Sequence, residues 1–207
     1  MPANQYSWVL AWSYPAFRTK FILGTVILIG ILLFIPSFFA NIEDREGSVL
    51  HDWLLNGIKP IDVSFYIFFF LYATVIMFLV RMSMNSEVCL KTLWSFIFLC
   101  LCRMITIKFV PLNPPHGIIE LSDPCSVLFY RANVITKDLF FSGHTATLIV
   151  GGICMSKAQD KMIAFSAALI VGVLLLLQHV HYTADIIAAP IFSVICCYLG
   201  KSVAKIN

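Results

Sequence analysis

Residues 21–42 contain no Asp, Glu, Lys or Arg. A helix needs about 20 mostly apolar residues to cross a bilayer core of about 30 Å, so this stretch alone is long enough to span. Residues 63–80 are equally free of charge. Further apolar stretches follow at 139–156, at 162–180 with a charge-free core at 162–177, and at 184–200. The segment 92–110 is the remaining span, interrupted by Arg103 and Lys108. The pattern predicts an all-α membrane protein with six transmembrane helices in one bundle. Pro36 and Pro190 fall inside spans, where neighbours can satisfy the freed carbonyls, and are expected to kink them. With no internal repeat, low-complexity tract or linker, residues 1–207 are read as a single domain.

Composition agrees with that reading. Of the 207 residues, 60% are hydrophobic and 12% charged, and the mean hydropathy is +0.90, which rules out an ordinary water-soluble domain. The net charge of +3 is spread along the chain without a basic run, so nucleic acid is not an expected partner. Cys100, Cys102, Cys154, Cys196 and Cys197 lie in apolar stretches and no CxxC pair occurs, so the cysteines are read as packing residues. The N-terminus lacks the basic region and cleavage site of a signal peptide, and the first apolar stretch is expected to stay.

Orientation follows from Lys and Arg near the span ends. Arg18, Lys20, Arg81, Lys91, Lys157, Lys161, Lys201 and Lys205 would share one side, against Arg45, Lys59, Lys108, Arg131 and Lys137 on the other. Both termini are therefore expected in the cytoplasm.

Under this topology His144, near the start of the fourth span, and His181 with Asp185, at the junction of the fifth and sixth, reach the same extracytoplasmic face. His181 and Asp185 are four apart and would share one face if their stretch is helical. A carboxylate there fixes the imidazole tautomer and leaves the other nitrogen free to attack. His144 can then protonate the leaving oxygen as general acid. A single membrane His is more often a helix–helix hydrogen bonder. A convergent His, His and Asp set is a functional candidate, because ionisable groups in spans cost about 2.5 to 3.5 kcal/mol each on insertion scales. A metal site from His179, His181 and Asp185 is the competing functional reading. His51 and His116 read as solvated loop residues. Arg103 sits about 16 Å into its span at 1.5 Å per residue and suits a phosphate clamp, with a buried salt bridge to a span-end acid as the alternative. The loop 111–138, stiffened by Pro111, Pro114 and Pro115 and carrying Glu120, Asp123, Arg131, Lys137 and Asp138, could form the rim of the site.

Asp138-Leu139-Phe140-Phe141-Ser142-Gly143-His144-Thr145 and His181-Tyr182-Thr183-Ala184-Asp185, with a weaker echo in Arg103-Met104-Ile105-Thr106, resemble the sphingomyelin synthase family, a branch of the type 2 phosphatidic acid phosphatase superfamily. The resemblance implies a catalytic triad of His144, His181 and Asp185 at the lumenal or exoplasmic face. It implies substrate-binding roles for Arg103, Asp138, Ser142, Gly143 and Tyr182. It also implies a metal-independent and cofactor-free reaction in which a phospho-headgroup passes from a glycerophospholipid, through a phosphohistidine, to a lipid alcohol such as ceramide. The chain departs from the family in reading Thr136-Lys137-Asp138 where Cys-Gly-Asp is usual, so loop chemistry around the headgroup differs. Residues 162–180 contain no Arg, so the signature of the classical lipid phosphatases is incomplete. A monoester dianion wants several cations and a diester fewer, which favours headgroup transfer or diester cleavage. A lipid phosphatase or phosphodiesterase on the same scaffold is the alternative, and a non-catalytic lipid transporter the third reading. The expected partners are phospholipid and lipid-alcohol substrates in the bilayer.

Overall fold

The computed structural model describes residues 7–121 and 135–206, and Asp123 and Arg131 of the expected rim lie outside them. Among the described residues the secondary structure is helical, with one isolated backbone bridge, Ser48 to Leu112. In chain order the helices are α1 (Trp8–Ser13), α2 (Pro15–Glu43), α3 (Trp53–Asn56), α4 (Ser64–Met84), α5 (Ser86–Phe109), α6 (Gly143–Cys154), α7 (Ala158–Leu177) and α8 (Thr183–Ala204). Five of these, α2, α4, α5, α7 and α8, are long and apolar enough to cross a membrane. Helix α6 has 12 residues and reaches about 18 Å, short of a bilayer core on its own.

Local chemistry sets the boundaries. Pro15 opens α2 at a position where its missing N–H is not needed. Helix α5 starts at Ser86, six residues before the expected 92, because the Asn85 side chain accepts from the Glu87 and Val88 N–H groups, both at 3.0 Å. The acid and base that made this turn look like a loop, Glu87 and Lys91, pair along the helix surface. Helix α6 starts at Gly143 and not at 139, since the Ser142 hydroxyl accepts from the Thr145 N–H at 3.4 Å and ends the regular geometry there. Pro36 and Pro190 lie inside α2 and α8.

Leu139, Phe141 and Ser142 are buried and Phe140 half-buried without being helical, which an apolar environment tolerates only where protein satisfies the backbone. Here Arg103 donates to the Phe141 carbonyl, the Thr106 hydroxyl to the Phe140 carbonyl at 3.1 Å, and the Ser142 N–H to the Asp185 carbonyl at 3.2 Å. The expected crossing 139–156 is thus a buried irregular segment followed by a short helix.

The long helices alternate in direction, and the short α6 sits among α5, α7 and α8. Gly200 lets α8 approach α5 closely, since a Cβ there would stand 2.4 Å from the Ser95 N. Such contacts suit a bundle whose helices gain nothing from hydrophobic exclusion against one another. At one end of the bundle lie the Lys20–Lys205 contact, the Arg81–Asp160 ion pair at 2.8 Å and the bond from Trp8 Nε1 to the Met82 carbonyl at 3.3 Å. The opposite end collects the termini of α2, α4, α5 and α7 with the starts of α6 and α8, and there the candidate site lies.

Candidate active site

Two helix N-termini meet at this end, α6 after Ser142 and α8 after Tyr182, joined by the Ser142–Asp185 backbone bond. Both present the positive ends of their dipoles, which suits a phosphate oxygen. Asp185 is the third residue of α8 and is fully buried. Its Oδ2 accepts from the Tyr182 N–H at 3.0 Å and stands 3.3 Å from His181 Nδ1. The expected shared helical face is corrected here. His181 precedes the helix, and the contact forms because Asp185 folds back over the first turn to cap it.

His181 is 2% exposed and His144, in the first turn of α6, is half-buried. Their ring centroids are 6.5 Å apart with planes at 68°. With Nδ1 directed at Asp185, Nε2 is the nitrogen of His181 placed for attack, and His144 stands where a leaving oxygen could be protonated. His, His and Asp are thus brought together by two short backbone turns.

Arg103 lies 17 residues into α5, about 9 Å from its end at Phe109, nearer the site than the expected helix start implied. Its guanidinium pairs with Asp138, donates to the Phe141 carbonyl and sits 5.7 Å over the Phe141 ring. Gly143 makes room, because a Cβ there would fall 2.6 Å from Arg103 Cζ. The salt-bridge alternative is therefore what the structure contains, and Arg103 and Asp138 hold the turn that carries Ser142, Gly143 and His144. The Ser142 hydroxyl lies 3.2 Å from that of Thr145. Tyr182 is buried, and its hydroxyl donates to the Asn113 carbonyl at 2.9 Å while accepting from the Leu50 N–H at 3.2 Å. That hydroxyl ties the Leu50 and Asn113 backbones to the start of α8.

His179 takes no part in the cluster. Its ring nitrogens face the His116 carbonyl at 2.9 Å and the Ile58 carbonyl at 3.1 Å. Among the described residues no group of three or more His, Cys, Asp or Glu side chains is placed to hold a metal ion. His51 and His116 are exposed.

Sequence reading overlooked a supporting layer. Glu43, the last residue of α2, accepts from the Thr136 and Lys137 N–H groups, the latter at 3.1 Å, and fixes the segment leading to Asp138. Gln178 accepts from the Val63 N–H at 3.1 Å and donates to the Ser64 hydroxyl at 2.7 Å. Asp52 accepts from the Thr183 N–H at 2.6 Å and hydroxyl at 3.0 Å, two residues from His181, while capping α3. The signal for Asp52 was local, an acid directly ahead of the apolar turn Trp53-Leu54-Leu55. Burial alone would raise the Asp52 carboxyl, but hydrogen bonds from Thr183, Leu55 and Leu54 hold it below its ordinary value. A depressed carboxylate stabilises the fold above its unfolded value of about 3.9 and loses that contribution as pH falls through the folded value. Asp52→Asn is therefore expected to lower Tm at pH 7 and to reduce the further drop in Tm between pH 5 and pH 3. Parallel melts of the two proteins check this, and equal drops on acidification would remove Asp52 from the account.

Residues 137–202, about a third of the chain, match a family model. It is described as PAP2 superfamily C-terminal. The matched segment contains His144, His181, Asp185, Asp138, all of α6 and α7, and α8 as far as Ser202, and it supports the type 2 phosphatidic acid phosphatase superfamily and phosphatase-type or phosphotransferase-type chemistry. No curated protein and no solved structure gives a significant match to the chain.

Proposed function

We propose that this chain is a membrane lipid phosphotransferase of the sphingomyelin synthase type, which moves a phospho-headgroup from a glycerophospholipid to a lipid alcohol such as ceramide. The observation that carries the reading is the buried His181–Asp185 contact with His144 beside it. His181 Nε2 attacks the lipid phosphorus, a P–N bond forms, and the bond from phosphorus to the glycerolipid oxygen breaks. His144 gives that oxygen its proton and diacylglycerol leaves. The acceptor hydroxyl then gives its proton to His144 and attacks the same phosphorus, and the P–N bond breaks to restore His181. Arg103, Asp138, Ser142, Gly143 and Tyr182 shape the pocket around the phosphate.

Two features support a diester and a lipid acceptor. The Arg103 charge is already balanced by Asp138, so little net positive charge remains for a monoester dianion. His181 and Asp185 are shielded from water, the competing acceptor. Hydrolysis of a lipid phosphate ester is the second reading, favoured by the match to the phosphatase superfamily. Purified protein with headgroup-labelled phosphatidylcholine or phosphatidylethanolamine, with and without ceramide, separates the two. Transfer predicts a labelled sphingolipid that appears only with ceramide, and water-soluble product alone would remove the transferase reading.

The reading includes six crossings, α6 with its preceding segment making the fourth, with both termini cytoplasmic and the site extracytoplasmic. Glu120 and Gln159 are exposed at opposite ends of the bundle. In intact cells, an impermeant thiol reagent is expected to label Glu120→Cys above the background of the unsubstituted chain and to leave Gln159→Cys at background. The opposite pattern would turn the site to the cytoplasm.

A further inference from the structure

A cavity of about 450 Å³ opens between α6, α7 and α8, within the size range of small-ligand sites. Thr145 and Ile186 stand at its head, each one residue beyond a candidate catalytic side chain, His144 and Asp185. Gly172 brings α7 against both, with space for a Cβ only 3.0 Å from Ile186 Cγ2. From there the cavity follows α6 to Ile153 and α8 to Val194. Eight residues of helix advance about 12 Å, close to the depth of one leaflet of a core of about 30 Å. Apart from Thr145 the lining side chains are apolar, and Val173 and Val194 leave the cavity open sideways to the bilayer.

Pro190 also lines this cavity, inside α8. Proline has no N–H, so the carbonyl four residues earlier, that of Ile186, loses its ordinary helical donor, and the ring pushes it aside. Ile186 and Pro190 both face the cavity, so the released carbonyl lies on the cavity side, about one turn below Tyr182. An acceptor in apolar surroundings calls for a donor. Glycerolipid esters carry no N–H or O–H at that depth, whereas a lipid alcohol built on an amide carries both beside its reacting hydroxyl. A tail entering from lipid gains no hydrophobic energy, so this one polar contact can discriminate between lipids while the cavity fixes depth.

We infer that this cavity is the subsite of the acceptor lipid, with one tail between α6, α7 and α8 and the amide N–H of a ceramide-like lipid donating to the Ile186 carbonyl. The inference rests on the transferase reading, whose failure shows separately in the assay of the unsubstituted protein.

Pro190→Ala tests it, because alanine returns a donor to Ile186 and suits a helix interior. KM for ceramide is expected to rise about three- to tenfold, the range of one hydrogen bond in apolar surroundings, with kcat nearly unchanged. N-methyl ceramide is expected to lose the same factor with the natural chain and to show no further loss with Pro190→Ala. Independently of turnover, a ceramide with a diazirine in its tail is expected to label peptides of α7 and α8 on irradiation, and Val173→Trp to reduce that label severalfold. Equal KM values for the two ceramides, or label confined to α2 or α4, would overturn the subsite. Correct labelling without any transfer to ceramide would keep the binding site and remove the transferase reading instead.

Discussion

His181→Ala is expected to abolish turnover of lipid phosphate esters and to leave no phosphorylated protein, whereas His144→Ala is expected to slow turnover by about 10² to 10⁴, the usual worth of general acid catalysis. The difference follows from position. His181 is enclosed with Nδ1 held by Asp185, so in the proposed reaction Nε2 is the nitrogen that attacks the phosphorus. Its removal leaves the bond from the Tyr182 N–H to Asp185 in place, and the start of α8 keeps its cap. The variant should fold and fail chemically. His144 stands on the other helix with its ring centroid 6.5 Å away, suited to protonating the departing alkoxide. Without it, attack by His181 still occurs and the poorer leaving group accumulates a phosphorylated enzyme slowly. Phospholipid labelled in the phosphate, followed by denaturation and measurement of protein-bound label, checks both variants. Label that persists in His181→Ala and vanishes in His144→Ala would exchange the two roles.

The motif segments were legible because their chemistry is local: Ser142-Gly143-His144 starts a helix, and His181 with Asp185 brackets another start. Apolar length located the five helices long enough to cross a membrane among the described residues, since lipid demands it regardless of tertiary context. Helix ends were harder to place. Asn85 begins α5 through a turn that contains Glu87 and Lys91, and charge counting read that turn as loop. The spacing of His181 and Asp185 suggested a helical face, while the same two residues meet across a helix start, where side chains fold back on the backbone. Glu43, Asp52 and Gln178 stayed hidden for another reason. Their partners are 93, 131 and 115 residues away: the acid ahead of Trp53 signals only the cap that Asp52 gives α3, and no local pattern announces a carboxylate or amide that serves a distant backbone N–H. Arg103 was legible as an interior charge, and only the fold could pair it with Asp138.

Asp185→Asn is expected to reduce kcat by about 10⁴, equivalent to about 5.5 kcal/mol of barrier, with little change in KM or Tm. Asp185 is fully buried, and Oδ2 serves both the Tyr182 N–H and His181 Nδ1 while Oδ1 has no hydrogen-bond partner. Asparagine can keep its oxygen on the Tyr182 N–H, so the cap worth about 1 kcal/mol survives. The same oxygen then no longer carries the charge that holds a proton on Nδ1. If the amide turns to present its NH₂ to His181, Nδ1 must become the acceptor and the proton moves to Nε2. Either way the attacking nitrogen loses its lone pair or its electrostatic support, while the space around the lipid is unchanged. Asp185→Ala differs by also losing the cap, so its Tm is expected to fall where that of Asp185→Asn does not. Steady-state kinetics with melts of both variants make the comparison. A fall in kcat below tenfold for Asp185→Asn, with the protein folded, would mean that the carboxylate caps α8 and does not set the tautomer of His181.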